Sequence, residues 1–400
     1  MSRAKRMRIL EIITVPFFTP RGTAFSSLER TKALSRMGHS IDILTYPLGA
    51  DVEIPNVRIH RIPGIPGLTE IPMGPSLGKL ALDLQLAIKT ASWLLFRGPW
   101  HVVHAHEEAA FWVAPMRLLG RTPMLYDMHS SLAEQLSNFR YRGGRWLHQI
   151  FALLERFAIR SSDGVIAICP EIELHVRKIA PGVPLQLIEN LPVGWDLPAP
   201  DRGTVEELRT RYDLGRCRVV LYTGTFGVNQ GLELAIQAMR QVSVKIPEAR
   251  LVLVGGSAKD HEAMRSYAKQ QDVLRGVVLV GTQPYTLMPA FMELADVLLS
   301  PRIEGANTPL KIYSYLTSGK PIVATDLPTH RQVLSPEIAK LVPADPAALA
   351  EGILEILTDP VRARSLGERG KHVVEAKYGL GQYMERLAAI LARTAPSGEA

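Results

Sequence analysis

A chain of 400 residues exceeds what one hydrophobic core ordinarily organises, which predicts two domains of roughly 200 residues each. Hydrophobic side chains at 46% and charged ones at 21% exclude a disordered chain, and Cys169 and Cys217, one in each half, have neither the spacing of a metal motif nor the number for a disulfide framework. The net charge of +7 suits an anionic partner, either a phospholipid surface or a phosphorylated small molecule; nucleic acid is not expected, because no aromatic-rich basic face accompanies the charge.

The basic residues 1–8 run straight into a short apolar stretch at 9–15, which lacks a secretory cleavage pattern and reads as a first strand. Strands are predicted at 8–14, 40–46, 102–105, 124–128 and 164–168, and again at 218–222, 250–254, 277–280, 297–300 and 321–324, with helical patterns between them. That alternation predicts two Rossmann-like, doubly wound α/β domains. Residues 80–96 come nearest to a membrane span, but Asp83 and Lys89 interrupt them; crossing is not expected, whereas lying on a surface stays open. The sequence ENLPVGWDLPAPDR at 189–202 breaks both helix and strand. The expected division is an N-terminal acceptor domain at 1–192, a linker at 193–202, a C-terminal donor domain at 203–376 and a helix at 377–394 that crosses back to the first domain. Ligands of open parallel sheets bind beyond the carboxyl ends of the strands, so two such domains are expected to face each other across a cleft.

After the first strand, PRGTAFSSLERTKALSRMGH places Gly22 and Thr23 ahead of a helix at 27–37, where free backbone amides can meet an anion. His104 and His106 end one strand and His129 follows the next, where catalytic groups collect. Residues 295–326, ADVLLSPRIEGANTPLKIYSYLTSGKPIVATD, read as strand, polar loop, helix and strand, with Thr308 as N-cap and Pro309 at the first helical position. Free amides at Asn307, Thr308, Pro309 and Leu310 (the proline contributing only its position), with Lys311 one turn in, would cradle a diphosphate without a metal.

That stretch resembles the donor-site signature of glycosyltransferase family 4, and LYTGTFGVNQGLELAIQAM, RLVLVGG, VVLVGTQPYTLMPAFMELADVLLSP and IAICPEIELHV stand in the family's order. The resemblance implies the GT-B architecture and transfer, with retention, from a UDP- or GDP-linked sugar that serves as substrate, with no cofactor and no metal. It implies catalytic roles for His129 and Glu304. The donor contacts it implies are Gly224, Thr225, Phe226, Gly227, Gln230, Gly255, Thr282, Asn307, Thr308, Pro309, Leu310, Lys311 and Ser314, and Arg21, Gly22, Thr23 and His106 would contact the acceptor. Two glutamates usual in the family are replaced by Ala306 and Ser314, and an arginine and a lysine by Thr225 and Gln230. Each lost charge-assisted contact would weaken donor binding by about 1.5–3 kcal/mol, so Lys311, Arg302 and the amides of the TGTFG loop at 223–227 are the expected replacements.

The resemblance further implies a glycan or lipid-linked acceptor, as in cell-envelope or exopolysaccharide assembly, and a cytoplasmic enzyme. The segment FRYRGGRWLHQIFALLERFAIRSS, with Arg140, Arg142, Arg145, Arg156 and Arg160, has the pattern of a basic amphipathic stretch able to lie on the inner face of an anionic membrane. A sugar-nucleotide epimerase and a non-catalytic GT-B partner of another transferase are the alternative readings.

Overall fold

The computed structural model describes residues 6–19, 22–68, 71, 76–120, 122–131, 144–305 and 307–395, and the chain divides into two compact units, residues 1–190 with 380–400, and residues 191–379. Arg21, Arg140, Arg142, Ala306 and the side chain of Arg145 lie outside the described residues.

In the first unit, parallel strands β1 (Arg8–Ile13), β2 (Ser40–Thr45), β3 (Val57–Arg61), β4 (Val102–His106), β5 (Met124–Met128), β6 (Gly164–Ala167) and β7 (Leu185–Leu187) lie in the order β3-β2-β1-β4-β5-β6-β7. β1, β2, β4, β5 and β6 are buried nearly throughout, as a parallel sheet covered on both faces requires. The helices are α1 (Gly22–Arg36), α2 (Leu77–Phe96), α3 (Ala109–Gly120), α4 (Gly144–Ser161) and α5 (Pro170–Ile179). Leu82, Leu86 and Trp93 of α2, Val113 of α3, Ile159 of α4 and Val176 of α5 share one core with the sheet.

The second unit repeats the plan with α6 (Arg202–Arg211), β8 (Arg218–Thr223), α7 (Leu232–Lys245), β9 (Ala249–Val254), α8 (Ala258–Gln270), β10 (Val277–Val280), α9 (Met288–Leu294), β11 (Val297–Ser300), α10 (Lys311–Ser318), β12 (Ile322–Thr325), α11 (Pro328–Arg331), β13 (Lys340–Val342), α12 (Pro346–Thr358) and α13 (Pro360–Lys377). Its strands are parallel in the order β10-β9-β8-β11-β12-β13. The last helix, α14 (Leu380–Thr394), belongs to the first unit and buries Tyr383, Leu387, Ile390 and Leu391.

Both units are therefore the parallel-sheet α/β domains that the alternating pattern calls for. Three strands were not anticipated. β3 is a half-exposed edge strand whose arginines and histidine hide its alternation, and β7 and β13 are three residues each, too short to show a period. The helix expected at 27–37 starts earlier, so Gly22 and Thr23 are its first turn rather than the loop before it. In each sheet the strand order reverses once, between β1 and β4 and between β8 and β11, and the crevice beyond the carboxyl ends of such a pair is where α/β sheets take ligands.

Candidate active site

At the β8–β11 reversal the loops following β8, β9 and β11 touch backbone to backbone. Gly224 (φ 138°) donates its amide to the Val254 carbonyl at 2.9 Å. A Cβ on Gly255 would lie 2.1 Å from the Gly224 carbonyl oxygen, and one on Gly231 (φ 69°) would lie 1.9 Å from that of Pro301. Only glycine permits these approaches.

Into this crossing comes Lys311, the first residue of α10. Its Nζ lies 3.6 Å from the centre of the Tyr222 ring and 3.3 Å from Gln230 Oε1, and a Cβ on Gly224 would stand 3.1 Å from it. The Tyr222 hydroxyl donates to the Thr225 carbonyl at 2.6 Å and lies 3.1 Å from Gln230 Oε1, so the two residues that replace the usual cations form the wall beside Lys311. Arg302 reaches back over its own loop, its Nε donating to the Glu304 carbonyl and its Nη1 to that of Asn307, both at 2.7 Å. Gly305 (φ 146°) makes that wrap possible, since a Cβ there would meet the guanidinium at 2.3 Å. Burial, and then the charge of Arg302, hold the Lys311 ammonium well below its ordinary range. Among the described residues no carboxylate lies within salt-bridge distance of Lys311 or Arg302. Two basic side chains kept near each other, with no described carboxylate in salt-bridge contact, form an anion-binding arrangement.

The structure corrects the expected helix start. Thr308 is not the N-cap and Pro309 is not the first helical residue: α10 begins at Lys311 with Leu310 as its cap. The Thr308 hydroxyl is taken by the Gln332 side chain, and the Ile312 and Tyr313 amides return to the Pro309 and Leu310 carbonyls at 3.0 and 3.3 Å. Those bonds close a three-residue turn in place of the i→i−4 bonds that a helix beginning at 309 would make at the same amides. Ser314 is buried and its hydroxyl accepts the Val193 amide at 2.9 Å. Glu304 exposes its side chain, and its carbonyl carries its contact with Arg302. Phe226 stacks on His261, Gly227 precedes the single turn Val228–Gln230, and the Thr282 hydroxyl lies 3.4 Å from the Gly256 carbonyl.

At the β1–β4 reversal of the first unit lies a buried charged cluster. The Asp127 carboxylate, at the end of β5, pairs with Arg30 Nε of α1 at 2.7 Å, with both side chains fully buried. His104 stands between two acids, its Nδ1 3.0 Å from Glu11 Oε1 and its Nε2 3.3 Å from Asp127 Oδ2. His106 Nδ1 and His129 Nε2 approach the same carboxylate at 3.5 and 3.4 Å, and Ser27 Oγ lies 3.3 Å from His106 Nδ1. Burial alone would raise the Asp127 carboxyl, but Arg30, His129 and His104 outweigh it and hold it well below the usual carboxylate range. Burial would likewise lower His104, yet its hydrogen bonds to Asp127 and Glu11 leave it raised; His106 is driven well below the ordinary histidine value by burial and by His104. Just beyond the end of β4, Glu107 (φ 50°) accepts from Ser130 Oγ at 3.1 and 3.2 Å, and its burial pushes its carboxyl up to about 7.

Glu11, His104 and His106, or His106, Asp127 and His129, lie close enough to share a metal ion. The donor set argues against one. Arg30 and the raised His104 already balance the two carboxylates, Thr31 Oγ1 donates to Glu11 Oε2 at 2.7 Å, and a further cation would find no unbalanced negative charge among them. The structure brings His106, expected at the acceptor, and His129, expected to be catalytic, together around Asp127. Arg30, Asp127, Glu107 and Ser130 were missed, although lone acids inside the apolar strands RILEII and MLYDM were a visible signal.

Residues 21–194 match the glycosyl transferase 4-like domain and residues 217–359 match glycosyl transferases group 1. The chain is 25% identical over 370 residues to a phosphatidyl-myo-inositol mannosyltransferase of Mycobacterium leprae, covering 89% of this chain and 88% of that protein. A GDP-mannose-dependent alpha-(1-6)-phosphatidylinositol monomannoside mannosyltransferase of Mycolicibacterium smegmatis is 29% identical over 199 residues, 47% of this chain and 52% of its own. Among solved structures, sucrose-phosphate synthase from Thermosynechococcus elongatus superposes with a TM-score of 0.78 at 21% identity, covering 96% of this chain and 98% of that one. The two halves match the two domains of one enzyme architecture, in order, and the chain belongs to glycosyltransferase family 4, enzymes of the GT-B fold that use a nucleotide sugar as donor.

Proposed function

We propose that this transferase moves a hexosyl group, with retention, from a GDP- or UDP-linked sugar to a hydroxyl of a lipid-borne or cell-envelope glycan, working as a peripheral protein at the inner face of a membrane. The observation that carries the reading is the pair Lys311 and Arg302 at the β8–β11 reversal, basic side chains with no described carboxylate within salt-bridge distance. As the glycosidic bond to the diphosphate breaks, negative charge gathers on the leaving phosphate and the sugar carbon becomes oxocarbenium-like. Lys311, with its ammonium destabilised by burial, gains most when that charge arrives, and the Gly224 turn leaves room for the phosphate to approach it.

In the first unit His129 is the residue proposed to meet the sugar. Asp127 Oδ1 faces its Nε2 at 3.4 Å and orients the ring, which would hydrogen-bond a sugar hydroxyl. The mannosyltransferase relatives, which by name act on phosphatidylinositol species and in one case use GDP-mannose, make that donor the first to test. Among the described residues no helix is long and apolar enough to cross a membrane, so the contact proposed is with its surface, through the exposed Arg156 and Arg160 of α4.

Calorimetric titration with GDP, UDP and ADP, with and without magnesium, tests the donor half. Micromolar binding of one nucleotide, unchanged by magnesium, is the expected result. The His129→Ala variant should then bind that nucleotide normally while turnover falls about tenfold or more. Full activity in the variant would remove His129 from the mechanism, and silence toward all three nucleotides would remove the donor site.

A further inference from the structure

Helix α2 carries an apolar ridge that is exposed among the described residues of its unit. Leu82, Leu86, Thr90 and Trp93 are buried on one side; on the opposite side Leu77, Leu80, Leu84, Ile88 and Leu95 recur at helical spacing and face solvent. Leu80, Leu84 and Ile88 keep 65%, 62% and 63% of their surface exposed, and Phe96 at the end of the ridge keeps 81%. At 1.5 Å per residue the ridge is about 27 Å long. Single exposed leucines are ordinary on protein surfaces, but a continuous row is the mark of an interaction surface.

The exposed charges on α2 and its C-terminal cap are of one sign. Lys89 is exposed within it and Arg97 just beyond it, while the only acid of α2, Asp83, is half-buried and 3.3 Å from Lys79. α3 packs between α2 and α4, and α4 repeats the pattern over its described side chains. There Ile150, Leu153, Leu154 and Phe157 are exposed, with Arg156 and Arg160 beside them. The one acid in that stretch, Glu155, is turned inward to Ser131 at 3.1 Å and His175 at 2.7 Å.

We propose that α2 and α4 together form a docking face for an anionic lipid bilayer, with the leucine ridge of α2 entering the acyl boundary and Lys89, Arg97, Arg156 and Arg160 at the level of the headgroups. This deepens the peripheral-membrane reading above, and rests on it, by naming the element that enters the lipid. The charge pattern selects the occupant. A second copy docked on the same face by two-fold symmetry would set like charges against each other, whereas a bilayer with anionic headgroups complements them and can meet both ridges of one helical layer at once.

The test is flotation of the full chain with vesicles of phosphatidylcholine alone and of phosphatidylcholine with phosphatidylglycerol, at low and high salt. Light scattering and nucleotide titration are run on the same preparations. The wild-type chain should float with the anionic vesicles and lose much of that binding at high salt. The double variant Leu84→Gln/Ile88→Gln, which alters exposed side chains only, should partition about tenfold less or weaker still, with circular dichroism and nucleotide affinity unchanged. Flotation of that variant equal to wild type overturns the proposal, as does a wild-type chain that ignores vesicles but forms dimers which the variant breaks. Normal flotation with no nucleotide binding would instead count against the donor-site reading and leave the docking face standing.

Discussion

Lys311 is held by interactions that do not need its charge. A tyrosine face and an amide oxygen are weak substitutes for a carboxylate, and burial and Arg302 push its ammonium well below the ordinary lysine range. Arrival of a diphosphate must therefore raise its pKa, and donor binding at a pH near or above the lowered value should take up a proton. Titrations in buffers of different ionisation enthalpy should show that uptake for the wild-type chain and not for Lys311→Ala. The same variant should bind nucleotide about ten- to a hundredfold more weakly, the loss of one charge-assisted contact. Equal proton uptake in both proteins would show that Lys311 is not the group that meets the phosphate. Lys311 was legible in the sequence because it follows a proline that opens a loop-to-helix pattern. Tyr222 was not, because a tyrosine next to the end of the strand RVVLYT reads as core until the fold sets a lysine against its ring.

At the scale of elements, glycines without side chains bring the loops after β8, β9 and β11 into contact. Gly231→Ala would drive a methyl group into the Pro301 carbonyl at a backbone conformation that already disfavours it, and should cost about 2 kcal/mol or more. Gly38→Ala, also at positive φ (88°) but with nothing within 4 Å, should cost about 1 kcal/mol. Thermal unfolding of the two variants checks the difference, and only Gly231→Ala should also weaken nucleotide binding. Equal losses at both positions would mean that the loop contact carries no energy. The same elements show why the sequence was readable in part. Buried strands such as β8 and β9 announce themselves by aliphatic runs bounded by glycine, whereas β7 and β13 are shorter than any period and exist because a neighbouring strand offers an edge. The start of α10 was misplaced because Thr308 and Pro309 have the local chemistry of a cap, while a side chain 24 residues away, Gln332, captures the threonine hydroxyl.

On the whole-molecule scale each unit buries one group whose titration opposes that of the other. His330 of α11 lies with Nε2 2.8 Å from Ser300 Oγ at the end of β11 and Nδ1 2.7 Å from the Thr325 carbonyl at the end of β12, which places a proton on Nδ1. Burial is the largest cause that lowers it from 6.5 to about 4. Its contribution to stability is complete above the unfolded value near 6.5 and is lost as pH falls through 4. Glu107 runs the other way, because burial raises it from 4.5 to about 7; its contribution is complete below 4.5 and is lost as pH rises through 7. Each shift corresponds to about 3 kcal/mol, so between those limits the second unit should gain stability with rising pH while this residue weakens the first. His104 and His106, shifted in opposite directions, oppose each other within the same cluster and make the comparison with a variant necessary. Scanning calorimetry from pH 4.5 to 7 should show that Glu107→Gln makes the first unit's transition less sensitive to rising pH, while His330→Asn flattens the gain of the second. Slopes that both variants leave unchanged would show that neither buried group sets the pH response.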